Sequence, residues 1–262
     1  MFWQGVTRAG DKDVTPSPVQ FPLRSLLWVG FFAAILAAWA VMFMMARMSG
    51  VDVFGRSVGM NMMPMTTFGA LLPMWAIMMA AMMLPTMVPT LRNYEALMSS
   101  ADGTRSGWVG VLLGYFISWV GFAALISGVQ VILIRTGAID ALGVATTGLF
   151  AGMLLIVVGV FQFTRAKEIC HGVCHSPMTY FLGHWKTGFA GGLRMGLGLG
   201  AFCVGCCWGF MALGFVGGVM SLLWMGLATL FMVFEKLPDI GHRVTKPAGA
   251  LLIAAGLAVI IL

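Results

Sequence analysis

Seven stretches of apolar residues alternate with short polar segments along the chain: Leu26 to Ala46, Phe68 to Leu91, Trp108 to Ile134, Ala141 to Thr164, Phe189 to Phe215, Met220 to Phe234 and Pro247 to Leu262. The only charged residue inside any of them is Arg194, near the start of the fifth. At 1.5 Å of rise per residue, about 20 apolar residues cross a hydrocarbon core of about 30 Å. The pattern therefore predicts an all-α, polytopic transmembrane helix bundle of about seven spans. A six-span chain with one re-entrant segment is the alternative, because the sixth run is short and only Val216, Gly217, Gly218 and Val219 separate it from the fifth. The first run is too long for a signal-peptide core and is not followed by a small-residue cleavage site, so it is read as an uncleaved span. Residues 1–24, with Pro16, Pro18 and Pro22, are expected to form a cytoplasmic tail, and residues 25–262 a single transmembrane domain. Pro85 and Pro89 remove backbone donors from the inner half of the second run, where a kink or unwound segment is expected.

Charge adds orientation. Basic residues near span ends are retained on the cytoplasmic side. With the N-terminus inside, the inner segments hold Arg8, Lys12, Arg24, Arg92, Arg105, Arg165, Lys167, Lys186, Arg194, Lys236, Arg243 and Lys246, twelve in all; the outer ones hold three, Arg47, Arg56 and Arg135. The N-terminus is expected in the cytoplasm, the C-terminus outside, and the whole in a bacterial inner membrane with lipid as its solvent. The net charge of +6 then reflects membrane orientation and gives no support to nucleic-acid binding. A composition that is 60% hydrophobic and 9% charged, with a mean hydropathy of +0.96, lies outside the soluble range.

The chemistry available is that of sulfur. Of five cysteines, Cys170 and Cys174 lie in Cys170-His171-Gly172-Val173-Cys174-His175 and the other three, Cys203, Cys206 and Cys207, lie within the fifth run. At the cytoplasmic face thiols stay reduced, which disfavours a disulfide and leaves soft-metal ligands. On a helix Cys170 and Cys174 share a face, with His171 and His175 as a second pair about 100° away. Two thiolates at that spacing suit a linear or trigonal Cu(I). Zinc is the second candidate, but its tetrahedral sites unite pairs from separated segments, so it would need a further ligand such as His184. Haem is disfavoured by three residues between the cysteines instead of two, and by the cytoplasmic location. In the fifth run Cys203, Cys206 and Cys207 occupy neighbouring parts of one helix near mid-membrane. The competing explanation for all five is packing, because free cysteine often serves as a small hydrophobe.

Methionine is abundant, at 23 residues. Met74, Met78 and Met82 form one column of the second span, with Met79, Met83 and Met87 beside it. Of these, Met78, Met82 and Met83 are the favoured ligand candidates. Met60, Met62, Met63 and Met65 cluster just outside it. Thioethers bind Cu(I) without losing a proton, yet methionine is also a common core filler. Gly188, Gly192, Gly196 and Gly200, then Gly205 and Gly209, make a small-residue stripe on the fifth span, expected to pack closely on another helix, with the second span as its anticipated neighbour. Glu235, beside Lys236, is a secondary ligand candidate, for which pairing with lysine or snorkelling to water is the commoner explanation.

Neither a nucleotide-binding glycine loop nor a serine-histidine-acid set can be assembled, so catalysis is not expected. No ionisable residue lies deep in any run, which disfavours proton-coupled transport. The leading expectation is a protein that binds Cu(I) and passes it across the membrane or to a copper client. The alternatives are a non-catalytic accessory subunit of a larger copper membrane enzyme complex, and a membrane thiol-redox protein working through Cys203, Cys206 and Cys207.

Trp75 with Met78, Ala81-Met82-Met83-Leu84-Pro85, the Cys170 and Cys174 pair followed by Pro177, Cys203 ahead of Gly205-Cys206-Cys207-Trp208 and Met211, Gly218-Val219-Met220 with Trp224-Met225, and Glu235-Lys236 together resemble a family of bacterial integral membrane proteins of uncharacterised function, predicted to bind metal. The likeness spans roughly Pro73 to Lys236 and implies a metal-linked role. In that family the second cysteine of the pair is usually followed by arginine. Here His175 takes that place.

Overall fold

The structure is a computed structural model that describes residues 23–56, 58, 65–98, 100–237 and 241–261. The chain divides into two compact units, Met1–Ala34 and Ile35–Leu262. In the first, the described residues are the opening turns of helix α1 (Leu23–Met48), where Trp28 stacks on Phe32. All that follows concerns the second.

After α1 come α2 (Phe68–Met83), a 3-10 turn at Pro85–Met87, α3 (Val88–Met98), α4 (Arg105–Arg135), α5 (Gly148–Phe161), α6 (Arg165–His175), α7 (Pro177–His184), α8 (Gly188–Ala212), the single turn α9 (Gly214–Gly217), α10 (Leu222–Glu235) and α11 (Gly241–Ile261). A chain meant for lipid must satisfy its own backbone, and helices do so within one segment. Among the described residues, four helices are long and apolar enough to cross a membrane: α1, α4, α8 continued through Gly217, and residues 243–261 of α11. Counting each of two bent pairs as one span, α2 with Pro85–Met98 (bent by 40°) and α5 with α6 (65°), gives up to six. The sixth apolar run yields α10, whose 14 residues reach about 21 Å, less than a hydrocarbon core. Large apolar side chains face outward, among them Leu36, Leu125, Ile132 and Leu251, as in a multi-pass membrane protein.

Pro85 breaks the second run as its ring demands, ending α2 and opening the 3-10 turn. The fourth run starts its helix later than the apolar pattern suggests. Asp140 accepts from the backbone of Leu142 and Val144, Gly143 takes a φ of +77°, and Thr147 caps α5 by accepting from Phe150, so residues 141–147 form a turn.

The glycine stripe of α8 is a packing surface, but its partner is α4 and not α2. A methyl group on Gly192 would strike the backbone of Gly107, and one on Gly196 the backbone of Val111; from the other side, Gly110 and Gly114 meet the backbones of Phe189 and Leu193. The expectation failed because α4 carries its own small residues at matching intervals, letting two backbones touch, whereas the methionines of α2 would hold them apart. Ser118 Oγ seals the contact by donating to the Leu197 carbonyl at 3.0 Å. α2 packs on the other side of α4, where Trp75 Nε1 donates to Gln130 Oε1 at 2.6 Å, both residues being buried.

Candidate metal centre

Thr164 accepts from the backbone of Lys167 and restarts the helix after the bend that follows α5. The resulting α6 lies along α8 and brings Cys174, in its last turn, to the face that carries Cys203 and Cys206. The ligand atoms of these three cysteines all lie within 4.8 Å of one another. Cys206 Sγ is 3.7 Å from Cys174 Sγ and 3.3 Å from Cys207 Sγ, and all five cysteines are free thiols. A cation about 2.3 Å from each of three sulfurs in one plane would hold them about 4 Å apart. Cys174 and Cys206, at 3.7 Å, are already near that spacing, and the other two pairs lie no farther apart than 4.8 Å.

Two lysines border this sulfur group. Lys236 Nζ donates to Cys203 Sγ at 3.1 Å and to Thr86 Oγ1 at 2.8 Å, and the Tyr115 hydroxyl lies 3.0 Å from Cys203 Sγ and 3.2 Å from Thr86 Oγ1. Lys167 Nζ donates to the Cys206 carbonyl at 2.8 Å and forms an ion pair with Glu235 Oε1 at 2.7 Å, their side chains only 1% and 2% exposed. Glu235 Oε1 also accepts from Thr245 Oγ1 at 3.0 Å, and its carbonyl accepts from His171 Nε2 at 2.8 Å. Glu235 thus ties α6, α10 and α11 together beside the cysteines. Its carboxylate is paired with a lysine, Lys167, while the adjacent Lys236 turns to Cys203 and Thr86.

The other candidates fall in different places. Cys170, half-buried, packs its sulfur on Gly205, where an added methyl would lie 2.8 Å from it. His171 and His175, ring centroids 5.4 Å apart, line a separate cavity of about 270 Å³ with Gln162, Lys167, Glu168, Gly172, Thr245 and Lys246. Since His171 Nε2 donates to a carbonyl, the lone pair of its neutral ring is at Nδ1. His184 is exposed at the end of α7, stacked on Tyr180. Met74, Met78, Met79, Met82, Met83 and Met87 are all buried in and just after α2, and the visible link from that region to the cysteines runs through Thr86. Met65 is half-buried before α2. Met60, Met62 and Met63 lie outside the described residues.

Lys167, Tyr115 and Thr86 border the site and were not singled out from the sequence, where Lys236 was marked only as the neighbour of Glu235. Lys167 carried a usable signal, since it stands two helical turns before Cys174 and so shares its face. The Tyr115 contact spans 88 residues and had no local signature.

Compared with the curated proteins and with the solved structures, the chain has no match in either. Residues 72–259 match the model of a family described as copper chaperone, a segment that includes every residue of the cysteine group and both bordering lysines. With well over half of its length matched, the chain belongs to the copper chaperone family.

Proposed function

We propose that the protein carries Cu(I) on Cys174, Cys203 and Cys206 in a bacterial inner membrane and hands it to a copper-dependent client. The observation that carries this reading is the buried approach of three sulfurs from α6 and α8 to within 4.8 Å. Three thiolates suit Cu(I), which is stable in trigonal sulfur coordination. Zinc asks for a fourth ligand, and no histidine, aspartate or glutamate joins the three cysteines among the described residues. Three thiolates around one Cu(I) carry a net charge of −2, which Lys236, bonded to Cys203 Sγ, is placed to offset in part, the charge of Lys167 being balanced by Glu235. Cys207, 3.3 Å from Cys206, offers an additional sulfur through which the ion can exchange without leaving sulfur coordination.

Protein purified under reducing conditions and loaded with Cu(I) should hold one ion per chain, with an X-ray absorption spectrum showing sulfur neighbours alone at a trigonal distance. A spectrum dominated by nitrogen or oxygen neighbours would refute the assignment.

The distribution of basic residues supports a cytoplasmic N-terminus, with α6 on the inner side. Cys170 is the test of that orientation because it is only half-buried. A membrane-impermeant maleimide should label it in inverted vesicles and miss it in intact cells. Labelling from outside would reverse the topology.

A further inference from the structure

A cavity of about 400 Å³ lies where α2 breaks into α3 and α10 ends, lined by Pro85, Thr86, Val88, Pro89, Arg92, Asn93, Val233, Lys236 and Leu237. Its volume is within the range of about 300–1,000 Å³ usual for small-molecule sites. Two cations and an amide line it, and among the described residues no carboxylate does, so its chemistry favours an anion. It also touches the metal centre: its lining residues Lys236 and Thr86 are bonded to each other, and Lys236 Nζ reaches Cys203 Sγ at 3.1 Å. Arg92, at the exposed side, has no role in the cysteine group itself.

We propose that this cavity is the docking place for a small anionic thiolate complex of Cu(I), which exchanges its copper with Cys203. The inference rests on the copper reading above and names the form in which the ion comes and goes. Cu(I) held by two thiolates carries a net charge of −1, made more negative by any carboxylates on the carrier. Arg92 attracts the complex and Lys236 marks the inner end of its path. In the exchange the bond from copper to Cys203 Sγ forms as a bond from copper to a carrier sulfur breaks, and the Cys203 thiol proton passes to the departing carrier thiolate. Copper remains Cu(I) throughout, and no electron is transferred.

The test follows Cu(I) uptake by the full chain in neutral detergent from two donors, the anionic Cu(I)–glutathione complex and the cationic Cu(I)–acetonitrile complex. Arg92→Gln should slow uptake from the glutathione complex about tenfold, the low end of electrostatic steering, and raised salt should erase the difference. Arg92→Lys should keep the parent rate. From the cationic acetonitrile complex Arg92→Gln should load no more slowly than the parent, and all three proteins should reach the same copper content. An unchanged glutathione rate in Arg92→Gln, or equal slowing with both donors, would overturn the proposal. So would stoichiometric phosphatidylglycerol that blocks glutathione-dependent uptake in the parent but not in Arg92→Gln, since the cavity would then belong to a lipid headgroup. A parent protein that loads from neither donor would instead overturn the copper reading beneath it.

Discussion

Serine at Cys174, Cys203 and Cys206 together will abolish Cu(I) binding, while Cys207→Ser will leave most of it intact. Serine is close to cysteine in size but offers a hard oxygen in place of a soft thiolate, so the loss comes through coordination more than through packing. Each single replacement is expected to weaken binding by at least about tenfold, because two sulfurs remain, and two-coordinate Cu(I) has lost the ligand that closes the trigonal plane. Competition with a calibrated chromophoric chelator measures all of these affinities. Full binding by the triple variant would remove the cysteine group from the metal. The same titration decides the role of the methionines. Leucine at Met78, Met82 and Met83 keeps their volume at a cost under about 1.5 kcal/mol per site. These side chains are buried in α2, and the expected result is normal abundance with copper retained at the cysteines. A fall in copper content at normal abundance would make the thioethers ligands.

The second large effect is structural. Glu235→Ala strands the Lys167 ammonium, 1% exposed, without its carboxylate, and breaking a buried pair from one side costs about 3–5 kcal/mol. The variant should unfold at a markedly lower temperature in detergent, or fail to accumulate. Replacing both partners, as Lys167→Met with Glu235→Leu, removes the stranded charge and should recover much of the stability, because apolar groups of similar volume commonly substitute for a buried pair. Thermal unfolding of the parent, both single variants and the double variant forms a cycle that isolates the coupling. Independent, additive effects would show that the 2.7 Å contact contributes little. The double variant should still bind copper more weakly than the parent, because Lys167 also holds the Cys206 carbonyl.

The helices were legible in the sequence because a span in lipid has few ways to satisfy its backbone, so apolar run and helix nearly coincide. The break at Pro85 was legible for an equally local reason, the missing donor of the proline ring. Half of the candidate site was legible too: Cys203 and Cys206 are three residues apart on one helix, and their proximity follows from the helical repeat. Cys174 is different. Its approach to them depends on a 65° bend after α5 and on how α6 settles on α8, neither of which any spacing encodes. The glycine stripe announced a close contact but not its partner, since two stripes must be matched in space. Lys167 was read only as a cytoplasmic charge because counting basic residues for orientation treats each as solvated, and its pairing with Glu235 joins residues 68 positions apart (235 − 167).

The backbone contact between α4 and α8 has a mechanical meaning for the cysteines. With glycine against backbone at Gly192 and Gly196, no flexible side chain separates the two helices, and Cys203 and Cys206 ride on a stiff rail. Cys174 stands instead at the tip of a short lever, an 11-residue helix beyond a sharp bend. A swing of that lever would move only one of the three proposed ligand sulfurs, so the coordination number of a bound ion would change from three to two while the other two donors and the scaffold beneath them stay where they are.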